Sequence, residues 1–145
     1  MSDLQCAVTF LLAAAGDEGQ ARALAERLRD RRVAVVYTDD APATGEAVGA
    51  LSAMLSAPVR SEPDLREAVV PPGAVLEQLA DLHRGETVLV FARAQALTAA
   101  VQSLATGAGR THAHRNPLAP GQSGELRGDA DGWVVDDWMG QTPGA

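Results

Sequence analysis

The sequence predicts an α/β protein: one domain, a mostly parallel sheet covered by helices on both faces, and a C-terminal β-hairpin. Three observations predict it. Short, near-continuous apolar runs recur at Ala7–Ala13, Val33–Tyr37 and Thr87–Phe91, as in strands buried on both faces. The stretches between them carry apolar residues at helical spacing. Near residue 123 the pattern changes to two short segments around an Asp-Gly pair, a hairpin signal.

Each element follows in order. Ala7–Ala13 is the first strand, and Gly16 and Asp17 break it. Asp17 or Glu18 is suited to cap the next helix, which buries Ala21, Leu24, Ala25 and Leu28. Asp30–Arg32 turn the chain into the second strand, Val33–Tyr37. "TDDAP" closes that strand, and Pro42 fits the first turn of a helix running to about Ser56, with Val48, Leu51 and Leu55 inward. Pro58–Glu62 is a short third strand. "EPDLREAVVPPGA" crosses the sheet as a loop punctuated by Pro71, Pro72 and Gly73. The third helix puts Val75, Leu79 and Leu82 on one face, and Thr87–Phe91 is the fourth strand. The fourth helix, Ala94–Ala105, turns Leu97, Val101 and Leu104 inward. Thr106–Ser123 reads as a polar loop, and "GELRGDADGWVVDDW" as a hairpin with Asp131 and Gly132 at its turn. Residues 1–139 form the domain and 140–145 a flexible tail.

The bulk composition narrows the function. A chain of 145 residues, 46% hydrophobic, can bury one core. Its formal net charge of −7 gives no electrostatic gain on nucleic acid or an anionic membrane, so neither is expected as a partner. All 12 basic residues are arginine, and lysine and isoleucine are absent. With so much alanine, this fits coding bias in a GC-rich genome, which explains any single alanine. Cys6 is the lone cysteine, so no internal disulfide forms. "MSDLQ" lacks a basic leader, and the apolar run after it is about half a membrane span, so a cytoplasmic protein is expected.

In an open parallel sheet, ligands bind beyond the carboxyl ends of the strands. That rule selects Ala14–Glu18, Thr38–Pro42, Glu62–Glu67 and Ala92–Gln95. The ligand-binding candidates there are Asp17, Thr38, Asp39, Asp40, Glu67 and Arg93. These stretches contain no histidine, cysteine or lysine. His83 and Cys6 precede strands and fall at the opposite edge.

The order of several segments carries a resemblance. "QARALAERLRDRRVAVVYTDDAPATGEAVGALSAMLSAPVRSEPDLRE", "GETVLVFARAQALTAAVQSL" and "ELRGDADGWVVDDW" resemble, in sequence order, scaffold segments of the histidine phosphatase superfamily, the phosphoglycerate-mutase-like proteins. The resemblance spans nearly the whole chain and implies that family's fold. It also implies where the family's chemistry would reside. The Arg-His-Gly motif, whose histidine accepts the phosphoryl group, falls on Ala14, Ala15 and Gly16; only the glycine, which permits the turn, is kept. The second phosphate-binding arginine falls near Ala43, and the second histidine at Ala92 or Arg93. Glu67 in "DLRE" matches the usual proton donor.

These replacements remove the chemistry. Loss of a covalent nucleophile lowers a rate by around six orders of magnitude. Each charge-assisted hydrogen bond withdrawn from a phosphate forfeits roughly 1.5–3 kcal/mol. Neighbouring carboxylates repel a dianion further. The expectation is therefore a non-catalytic, degenerate relative acting by ligand binding or protein assembly. Its partner is an unknown protein, a second copy of itself or a small molecule, and no cofactor or metal is expected. Two alternatives remain. One is acid–base chemistry of isomerase or lyase type using Glu67, Asp39 or Asp17, with Arg93 holding an anion. The other is phospho-ligand binding without turnover.

Bland readings stand beside the sharp ones. Asp39 and Asp40 suit a nucleophile or metal site, yet Asp before a helix is commonly a cap. His112 and His114 form an H-x-H pair with no third ligand nearby. Trp133 and Trp138 can anchor a partner, though closing the core is the commoner task of such residues.

Overall fold

The computed structural model describes residues 8–39, 42–62, 72–107, 118–119, 121–129 and 132–136. Four strands alternate with four helices before a final hairpin. In chain order these are β1 (Val8–Ala14), α1 (Glu18–Arg27), β2 (Val33–Thr38), α2 (Pro42–Leu55), β3 (Val59–Ser61), α3 (Pro72–Leu82), β4 (Thr87–Ala92), α4 (Ala94–Gly107), β5 (Ser123–Asp129) and β6 (Gly132–Asp136). The six strands form one sheet in the order β3-β2-β4-β1-β5-β6. β3, β2, β4 and β1 are mutually parallel; β5 is antiparallel to β1, and β6 to β5.

Side-chain alternation divides the core into two layers. Phe10, Leu12 and Ala14 of β1 join Val88, Val90 and Ala92 of β4 beneath α3 and α4. Leu11 and Ala13 join Leu89 and Phe91 beneath α1 and α2. Both faces are thus covered, which is why the strands read as continuous apolar runs. α1 buries the four residues its spacing predicts, Ala21, Leu24, Ala25 and Leu28.

Several boundaries shift for physical reasons. β1 extends to Ala14 because that residue pairs with Ala92 and its N–H donates to the Gln122 carbonyl at 2.8 Å. α2 stops at Leu55 because Ser56 adopts a left-handed φ of 53°. Pro72 lies within α3, where a first-turn proline loses no helical hydrogen bond. α3 buries Leu76, Leu79 and Ala80, whereas Leu82, expected inward, is 71% exposed. It lies about a third of a turn round the helix from that stripe. Gly132, expected in the turn, is the first residue of β6 and pairs with Asp129, while Asp131 lies outside the described residues. Within the expected polar loop, Leu118 is a core residue, its N–H bound to the Thr98 hydroxyl at 3.1 Å.

Candidate functional site

β1 and β4 are neighbours, yet the chain leaves them in opposite directions. After β1 it enters α1 on one face; after β4 it enters α4 on the other. A crevice forms where such connections diverge. Its floor is the in-register pair Ala14 and Ala92, both buried. One step further lie Ala15, whose N–H donates to the Ala92 carbonyl at 2.7 Å, and Arg93. Ala15 and Arg93 therefore occupy matching positions, each one residue past its strand.

Carboxylates of the chain bind backbone N–H groups at both helix starts beside this crevice. At α1, Asp17 Oδ1 accepts the Gln20 N–H at 2.7 Å, and Gln20 Oε1 accepts the Asp17 N–H at 2.9 Å. This is a reciprocal capping box, and it selects Asp17 over Glu18 as the cap. At α4, Asp39 reaches across from the end of β2. Its Oδ2 accepts the Arg93 backbone N–H at 3.0 Å and lies 3.4 Å from Arg93 Nε. Asp39 is fully buried, while the Arg93 side chain is 46% exposed. A helix N-terminus is a ready anion site. Here the α1 end is served by Asp17, and Asp39 takes the N–H of the residue that precedes α4.

The Gln20 amide also closes the corner beside Ala15. It lies over Gly16 and Gly121, and a Cβ on either glycine would collide with it. Gly121 has a φ of +86°, while Gly16 has no left-handed φ. The expectation that Gly16 serves the turn is thereby corrected: what requires glycine there is the close approach of Gln20. The Gly121 N–H donates to the Ala14 carbonyl at 3.1 Å, fixing that loop against the end of β1.

Of the sequence candidates, the crevice brings together Ala14, Ala15, Gly16, Asp17, Thr38, Asp39, Ala92 and Arg93 along one sheet edge. Ala43 is in the first turn of α2. Asp40, Glu67, Cys6, His112, His114 and Trp138 lie outside the described residues, as do residues 140–145. Trp133 belongs to β6, opposite Gly128. His83 precedes β4, away from the crevice, where its Nε2 and the Tyr37 hydroxyl are 2.8 Å apart and its Nδ1 is 2.7 Å from Glu86 Oε1. Among the described residues no three His, Cys, Asp or Glu side chains group as metal ligands. Among them, too, no helix is long and apolar enough to cross a membrane.

Two features here lie beyond the expectations drawn from the sequence. Gln20 was legible, since D-x-x-Q before an apolar helix is a capping-box spacing. The bond from Asp39 to Arg93 joins residues 54 positions apart and leaves no local signal.

This architecture is the phosphoglycerate-mutase-like fold of the histidine phosphatases. The mycobacterial glucosyl-3-phosphoglycerate phosphatase superposes with a TM-score of 0.70 at 14% identity, covering 94% of this chain and 100% of that one. YhfR of Bacillus stearothermophilus gives 0.69 at 14% identity, covering 93% and 98%. The phosphoglycerate mutase of Plasmodium falciparum gives 0.67 at 15% identity, covering 97% and 96%. No family model and no curated protein matches the sequence. At such identities the likeness establishes the shared fold.

Proposed function

We propose that the chain is a degenerate, non-catalytic member of the histidine phosphatase superfamily that acts by binding a ligand or a protein partner. One observation carries this reading: the two positions one residue past β1 and β4 hold Ala15 and Arg93, and Arg93 is paired with the buried Asp39 carboxylate. A phosphoryl group entering there would find no imidazole at Ala15 or Arg93, an arginine already paired with Asp39, and the capped end of α1. The matched positions of Ala15 and Arg93 favour Arg93, rather than Ala92, as the residue standing at the second histidine. An arginine can bind an anion there, but it does not replace a phosphoryl-accepting imidazole.

The acid–base alternative draws less support. Asp17 is committed to its capping box and Asp39 is fully buried, which leaves Glu67 as its candidate. Titration with inorganic phosphate and with vanadate, followed at the backbone amides of Ala15, Gly16 and Arg93, tests the proposal. No saturable shift is expected at millimolar concentrations. Saturable shifts at those amides would move the assignment to phospho-ligand binding without turnover.

A further inference from the structure

A second site opens away from the crevice. On the α1 side of the sheet, β5 presents Ser123 and Glu125, paired with Ala13 and Leu11 of β1. α1 packs beside α2. Between α1 and β5 lies a cavity of about 200 Å³. Leu11, Leu24 and Leu28 contribute apolar surface to it. Two arginines bridge its rim: Arg27 Nη2 donates to Ser123 Oγ at 3.0 Å, and Arg31 Nη1 to Glu125 Oε1 at 3.1 Å.

The two bridges are not equivalent. Glu125 neutralises Arg31. Arg27, among the described residues, is met by a hydroxyl and keeps its full charge. A guanidinium has five donors in a planar fork that matches a carboxylate. A ligand carboxylate would therefore replace the Ser123 hydroxyl with a stronger, charge-assisted partner. Glu125 beside it disfavours a dianion and selects a single negative charge. An apolar cavity of about 150 Å³ is known to accept benzene, so this one has room for a small ring or short chain.

We propose that the groove between α1 and β5 binds a small amphipathic monocarboxylate, its apolar body against Leu11, Leu24 and Leu28 and its carboxylate on Arg27. The site does not depend on whether the crevice is catalytically silent. Phenylacetate serves as the probe and phenylacetamide as its uncharged counterpart. Titration of the full chain, followed by calorimetry and by amide shifts, should show saturable phenylacetate binding that perturbs Arg27, Leu28 and Ser123. Phenylacetamide should bind at least about tenfold more weakly. Arg27→Ala, at an exposed position, should weaken phenylacetate by about tenfold or more, with Arg27→Lys retaining part of the affinity. Ser123→Asp, which supplies Arg27 with a carboxylate of its own, should weaken binding likewise, and Arg60→Ala, in the edge strand β3 at the far side of the sheet, should leave it unchanged. Circular dichroism confirms that each variant is folded. Absence of saturable binding, equal binding of phenylacetamide, indifference to Arg27→Ala and Ser123→Asp, or loss of binding in Arg60→Ala would each overturn the proposal.

Discussion

Asp39 Oδ2, wholly buried at the end of β2, accepts the backbone N–H of Arg93, the residue that precedes α4, at 3.0 Å. The same oxygen is 3.4 Å from Arg93 Nε. One side chain thus ties β2 to the β4–α4 corner and pairs with the arginine at the crevice.

Removing that carboxylate should weaken the fold. Asp39→Ala deprives the Arg93 N–H of this acceptor and is expected to lower unfolding free energy by about 2–3 kcal/mol, as for a hydrogen bond to a charged group. Asp39→Asn keeps an acceptor oxygen and should cost about 1 kcal/mol. Arg93→Ala, at a half-exposed side chain, should cost less than about 1 kcal/mol. Urea unfolding of the three variants gives the ranking.

The Gln20 amide couples the α1 cap to the glycines it covers. Asp17→Ala should cost about 1 kcal/mol, the usual loss for an N-cap. Gly16→Ala places a Cβ against Gln20 and should destabilise the protein. In a Gln20→Ala background the same substitution should be better tolerated, because the nearest obstruction is gone and the Gly121 backbone N, 3.1 Å from that Cβ, remains. A double-mutant cycle in thermal or urea unfolding measures this coupling.

Tyr37 is the chain's single tyrosine, so its phenolate absorbance reports one site. Burial raises its pKa above 10.0, Glu62 and Glu86 add to that, and Arg60 opposes it. The folded state therefore keeps the proton where the unfolded chain releases it. The stability linked to Tyr37 is full below about pH 10 and is lost as pH rises through the higher folded value. Spectrophotometric titration should give a midpoint above that of the urea-unfolded chain. Tyr37→Phe should flatten the alkaline loss of stability.

Much of the scaffold was legible because burial on both faces leaves an unbroken apolar run, as in β1, β2 and β4. The α1 stripe and its cap were legible because both are local patterns with fixed spacing. Leu118 was not, since a lone core residue among Pro, Gly and His carries no periodicity. Leu82 misled because i, i+3 spacing from Leu79 does not show where the buried stripe is centred. At the site, the alanines were read directly, but what surrounds them was not. Asp39–Arg93, Arg27–Ser123 and Arg31–Glu125 join positions 54, 96 and 94 apart, and only strand order brings them together.

On the proposed function, the crevice lacks phosphohistidine chemistry. Release of nitrophenol from p-nitrophenyl phosphate by the purified full chain and by Glu67→Gln tests this directly. Both are expected to match the buffer blank. Turnover by the natural sequence that disappears in Glu67→Gln would contradict it.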